Sequence, residues 1–120
     1  MHYGGRMAWL PDGTLVMTTG DGFEYREAAQ DKASQLGKIV RMREDGTTPD
    51  DNPFPNSPVW SLGHRNPQGL AVDPVTKRLY AHEHGPAGGD EVNVIVPGGN
   101  YGWPVASFGR DYSGASISPF

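Results

Sequence analysis

The apolar residues of this chain recur with period two, and glycine, proline or aspartate interrupts them every few residues. Runs of that kind fold as short, half-buried strands, and no long element fits between the breaks. Residues 5–10 read as a strand, Pro11-Asp12-Gly13 as a turn, and residues 14–19 as the β-rich partner strand. Residues 37–43 form a further strand closed by Asp45-Gly46, and residues 69–72 and 78–81 a hairpin about Asp73-Pro74. Residues 91–96 alternate cleanly, with Val92, Val94 and Val96 on one face, and stop at Pro97-Gly98-Gly99. Residues 49–58 hold three prolines and two asparagines and are loop. The one helical candidate, residues 25–36, is polar and lacks an apolar stripe, so a long loop fits it as well. Roughly six short strands spaced by turns predict an all-β sandwich, barrel or propeller.

Composition sharpens this. With 17 glycines and 11 prolines the chain borders on a disordered composition, but 12 aromatic residues and a net charge of only −4 favour a chain that buries a core. At 120 residues it holds one small domain or a piece of a larger one. No Lys/Arg run exists to release counterions, which excludes a nucleic-acid binder working by bulk charge. The absence of cysteine excludes disulfides, thiol catalysis and Cys-based metal sites. No apolar stretch approaches the roughly 20 residues of a membrane span, and no basic start precedes an apolar run, so neither membrane insertion nor a signal peptide is predicted.

Three polar clusters stand out. In Leu62-Gly63-His64-Arg65-Asn66-Pro67-Gln68-Gly69-Leu70, Arg65 offers a rigid fork of donors for a carboxylate or oxyanion, and Asn66 both a donor and an acceptor. Read by composition, it is a surface loop with a salt-bridging arginine. In Glu83-His84-Gly85-Pro86-Ala87-Gly88-Gly89-Asp90-Glu91, three glycines and a proline let backbone carbonyls turn inward beside two carboxylates. That hard-oxygen setting suits Ca²⁺, although a hairpin tip with two solvated acids is the plainer reading. His82 and His84 lie two apart on one strand face, too few ligands for zinc. Thr19-Gly20-Asp21-Gly22 reads as ordinary turn chemistry after a strand, and Asp50-Asp51-Asn52 as a turn lacking the rest of a calcium loop.

Taken together, the motifs resemble those of the soluble PQQ-dependent aldose (glucose/sorbosone) dehydrogenases. They are His2-Tyr3-Gly4-Gly5-Arg6, Thr19-Gly20-Asp21, Leu36-Gly37-Lys38-Ile39-Val40-Arg41, Gly63-His64-Arg65-Asn66-Pro67-Gln68-Gly69, Glu83-His84-Gly85-Pro86 with Gly89-Asp90-Glu91-Val92-Asn93, and Gly99-Asn100-Tyr101-Gly102-Trp103-Pro104. Their order and spacing match over nearly the whole chain, least well over residues 22–35. The resemblance implies part of a six-bladed β-propeller, about two blades of it, with residues 1–120 a central fragment of the propeller domain.

It also implies roles by position. His2 would be the general base toward the C1 hydroxyl of an aldose, Asp21 the acid that orients it and a cofactor contact as well, and Arg65 the catalytic donor that stabilises the developing negative charge. Arg65 and Asn66 would contact the quinone oxygens of PQQ. The backbone carbonyls of Gly85 and Pro86 would hold the Ca²⁺ beneath PQQ. Glu91 and the carbonyl of Tyr101 would serve a second, structural Ca²⁺, with Asp111 a further candidate there. Electrons would pass to an external acceptor, and the compartment would be periplasmic or secreted. A non-catalytic carbohydrate- or protein-binding propeller is the alternative, and a calcium-dependent lactonase propeller a more distant one. The joint presence of His2, Asp21, Arg65 and Asn66 disfavours the binding module, which needs no base beside an oxyanion donor, and the run from Gly63 to Gly69 disfavours the lactonase.

Overall fold

A computed structural model describes residues 1–106. The chain is all-β, as its period-two pattern predicts. Strands β1 (Gly4–Trp9), β2 (Leu15–Thr19), β3 (Lys38–Met42) and β4 (Val59–Leu62) form one antiparallel sheet in chain order. A second antiparallel meander holds β5 (Pro67–Val72), β6 (Leu79–Glu83) and β7 (Glu91–Ile95). Five of the predicted strands match within a residue or two at most ends, and β5 begins earlier, at Pro67. Strand β4 escapes the sequence pattern because only Val59-Trp60-Ser61-Leu62 separates the proline-rich loop from Gly63. Its strand character comes from pairing with β3. The helical candidate resolves into a loop with one short 3-10 turn at Arg26–Gln30, pinned by the buried Ala29.

The two sheets pack through β1 and β2 against β5. Val16 and Ile39 from the first sheet meet Leu79, Ala81 and Ile95 from the second, with Ala8, Leu10, Trp60, Leu70, Val72 and Tyr101 around them. Burying each large aliphatic side chain contributes about 1.5–3 kcal/mol, so this shared layer fixes the two sheets against each other. The valines of β7 lie on one face, as the alternation predicts, and that face is outward: Val92, Val94 and Val96 are exposed, and the inward positions are Glu91, Asn93 and Ile95. The inward side of β7 continues that of β6, whose Leu79 and Ala81 pair with Ile95 and Asn93.

At the end of the first sheet remote from Gly20, the buried Arg41 locks two loops. Its guanidinium donates to Asp51 (2.8 Å), Asn52 (3.0 Å), Asp12 (2.8 Å) and the Thr14 hydroxyl (2.9 Å), and lies over the Trp60 ring. The Asp51-Asn52 turn thus serves a buried cation of the chain itself. Asp12 also accepts the hydroxyl and the N–H of Thr14, and these bonds, with Arg41 adding, bring its carboxyl down to about 2. A carboxyl depressed from the ordinary 3.8 stabilises the fold above that value, and the contribution is lost as pH falls toward 2, because the unfolded chain binds the proton first. Asp12→Asn should therefore lower stability at neutral pH by about 0.5–1 kcal/mol, given the half-exposed site, and flatten the acid-induced loss between pH 4 and 2. Thermal melting across that range checks it, and superimposable curves would refute it.

Candidate functional site

The predicted base and its acid meet at the end of β2. Gly20 permits this by close approach: a Cβ there would fall 1.7 Å from the carbonyl oxygen of His2, so only glycine lets the segment before β1 cross over β2. Asp21, buried at 1 % exposure, accepts from His2 Nδ1 (2.9 Å), from the Phe23 N–H (2.8 Å) and from the Trp103 indole N–H (2.8 Å). With Nδ1–H donating to the carboxylate, His2 keeps Nε2 as an acceptor. His2 and Phe23 both adopt left-handed backbone (φ 61° and 72°), a costly conformation for such residues, and the Phe23 ring meets the imidazole edge-on at 5.2 Å. The groove beside them is lined by Met1, His2, Tyr3, Gly22, Phe23 and Tyr25.

The arginine cluster lies next to this pair. The Asp21 N–H donates to the Arg65 carbonyl (2.9 Å), and the Arg65 guanidinium sits 5.4 Å from the centre of the Trp103 ring whose N–H reaches Asp21. Trp103 therefore touches both halves of the site. The surface-loop reading of this segment fails: His64, Arg65 and Asn66 are 1 %, 4 % and 7 % exposed. They are buried because the segment joins β4 to β5 between the two sheets, where both sheets cover it. Arg65 also donates to the His84 carbonyl (3.1 Å). Among the described residues the Asn66 Oδ1 has no hydrogen-bond partner despite its burial, which marks a place for a polar group from outside the chain.

The glycine-rich loop after β6 closes the other side. Arg65, Glu83, Gly85, Pro86, Glu91 and Tyr101 line one cleft, so the residues predicted for metal binding converge beside Arg65. The carbonyl oxygens of Gly88 and Gly89 turn in on Gly85 so closely that a Cβ there would lie 2.3 and 2.6 Å from them. Asp90 is exposed and holds the Gly85 N–H (2.8 Å), and that bond, with His84, lowers its pKa. Glu91 is half-buried, accepts from Asn93 (3.0 Å), and faces Glu83 directly across the β6–β7 ladder. Burial, with Glu83 adding, raises the Glu91 pKa. Two carboxylates opposite each other in a half-buried place are unfavourable unless a cation or proton relieves them. Tyr101 is committed through its side chain: its hydroxyl donates to the Val94 carbonyl (2.7 Å) and accepts from the Val96 N–H (2.8 Å). Among the described residues no three His, Cys, Asp or Glu side chains gather as a metal site, so a cation here would rest largely on backbone oxygens. Asp111 lies outside the described residues.

Sequence reasoning overlooked three members of this region. Trp103 was part of a motif but given no role. Glu83 was grouped with the hairpin tip, yet it is buried at the end of β6. Ser61 lies on the strand that was missed. The one available signal for Glu83 was its in-phase position with Leu79 and Ala81 on the inner face of β6. No helix among the described residues is long and apolar enough to cross a membrane.

The sequence profile of the family described as glucose / sorbosone dehydrogenase matches residues 1–120. An aldose sugar dehydrogenase of Escherichia coli (strain K12) is 45% identical over 97% of the chain and 32% of its own length. The quinoprotein glucose dehydrogenase B of Acinetobacter calcoaceticus is 39% identical over 99% of the chain and 29% of its own. Among solved structures, the PQQ-bound form of the aldose sugar dehydrogenase from Streptomyces coelicolor superposes with a TM-score of 0.86 at 48% identity, covering 97% of this chain and 34% of that one. The chain thus spans about a third of the length of the relatives it matches.

Proposed function

Because the chain belongs to the glucose/sorbosone dehydrogenase family, we propose that it is one segment, about two blades, of a six-bladed propeller enzyme that oxidises the C1 hydroxyl of an aldose to a lactone. The relative solved with PQQ bound favours that cofactor, and Ca²⁺ is the cation we infer with it. The observation that carries the reading is the contact between His2 Nδ1 and the buried Asp21, tied through the Asp21 N–H to the backbone of Arg65. It supports reading His2 as the base and Arg65 as the fixed positive charge of one site.

The residues fit the cofactor. Arg65 through its guanidinium N–H fork and Asn66 through its side-chain NH₂ would donate to the quinone oxygens. Gly85 and Pro86 would present backbone carbonyls to Ca²⁺, while Glu91 and the carbonyl of Tyr101 would take a second, structural Ca²⁺. When bound, PQQ supplies the two-electron acceptor for the hydride from C1, and Ca²⁺ polarises that acceptor. His2 Nε2 takes the proton of the C1 hydroxyl as the C1–H bond breaks, and Asp21 steadies the resulting imidazolium. Arg65, a fixed guanidinium, opposes the negative charge that develops on the accepting oxygen. The electrons would pass on to an external acceptor. A periplasmic or secreted enzyme is the compartment we infer.

The full-length protein reconstituted with PQQ and Ca²⁺ should reduce an artificial dye when an aldose is added, and should lose that activity when PQQ is left out. No dye reduction with any of a panel of pentoses and hexoses would overturn the assignment.

A further inference from the structure

Behind Arg65 and Asn66 lies a buried chain of polar groups that the reaction itself does not use. The Glu83 carboxylate accepts the backbone N–H of Arg65 (2.6 Å) and of Asn66 (3.1 Å), and its other oxygen faces His64 Nδ1 (3.0 Å). His64 Nε2 meets the Ser61 hydroxyl at 2.8 Å, and the imidazole stacks on the Tyr101 ring, 5.0 Å between centroids. Ser61 and His64 are 0 % and 1 % exposed, so this Ser–His–Glu arrangement is shut away from any substrate and cannot act as a nucleophile. Its output is backbone geometry. Two successive amides aimed at one carboxylate fix the turn from which both side chains project.

We propose that Glu83 is a positioning residue for the Arg65–Asn66 pair, with His64 and Ser61 orienting its carboxylate from behind. The proposal rests on the reading of Arg65 and Asn66 as cofactor contacts. Left without Glu83, two buried N–H groups lose their acceptor, and the turn must move to find others. A glutamine of the same shape should serve almost as well. Its oxygen can take the two amides while its NH₂ donates to His64 Nδ1, provided the imidazole shifts its proton to Nε2 and donates to Ser61.

The test titrates PQQ into the full-length apoprotein, following tryptophan fluorescence, with the apoprotein melting temperature as a folding control. Glu83→Met should weaken PQQ binding about 100-fold, while Glu83→Gln stays within about fivefold of wild type. Ser61→Ala should also be mild alone, but Glu83→Gln with Ser61→Ala should be at least tenfold worse than the two single effects multiplied, because the shifted imidazole then has no acceptor. That double variant carries the test if Glu83→Met does not fold. Folded Glu83→Met protein that binds PQQ as wild type does, or a double variant equal to the product of the singles, overturns the role of Glu83. Wild-type protein that takes up no PQQ overturns instead the cofactor reading beneath it.

Discussion

Alanine at His2 should lower kcat of the full-length enzyme about 10³-fold while PQQ binding stays within a few-fold of wild type. A positioned general base contributes about 10²–10⁴-fold, and about 10³-fold is the middle of that range. Asp21 would then lose one of its three donors but keep the Phe23 N–H and the Trp103 indole, so the carboxylate remains satisfied. The loss is therefore confined to proton removal. Single-turnover reduction of the bound cofactor by a C1-deuterated aldose separates this from dye turnover, and the slowed step should carry the isotope effect. Near-normal turnover in His2→Ala would remove His2 from the mechanism.

The second large effect belongs to Arg65. Its replacement by alanine should lower kcat about 10²–10³-fold, the usual consequence of removing one fixed donor from a developing oxyanion. PQQ affinity should fall too, since the same fork would hold the cofactor before the reaction. Arg65→Lys should recover only part of the rate, because an ammonium cannot reproduce a planar guanidinium held between the His84 carbonyl and the Trp103 ring. Comparing kcat at saturating PQQ with the PQQ dissociation constant divides the two contributions. A kcat within threefold of wild type in Arg65→Ala, with PQQ saturated, would exclude electrostatic assistance by this residue.

Much of the fold was legible in the chain because turn chemistry is local. Asp12-Gly13, Asp45-Gly46 and Asp73-Pro74 each end a strand by their own backbone preferences, and the adjacent strands follow. Strand β4 was not, because four residues carry too little periodicity, and its pairing partner lies across a long loop. The orientation of β7 was not legible either: alternation reveals that two faces differ, but not which one a second sheet will cover. The site was legible unevenly. His2 and Asp21 are 19 residues apart and meet only through the β1–β2 pairing, so motif order brought them together where composition saw a plain turn. Glu83 and Trp103 stayed unread because their roles lie in what they bond to, across 18 and 82 residues of sequence.

The imidazole stands on the first sheet, whereas the guanidinium leaves the crossing into the second, and the layer of Val16, Ile39, Leu79 and Ala81 sets the angle between those supports. In the proposed reaction the supports would act as the two arms of a caliper, with the reacting atoms between the tips and the aliphatic layer as the hinge pin. A displacement of about 1 Å at a reacting centre can cost about 10²-fold in rate. On the proposed mechanism, changes of a methylene or two at that pin would become adjustments of catalytic reach, made far from the sugar and without altering any group that touches it.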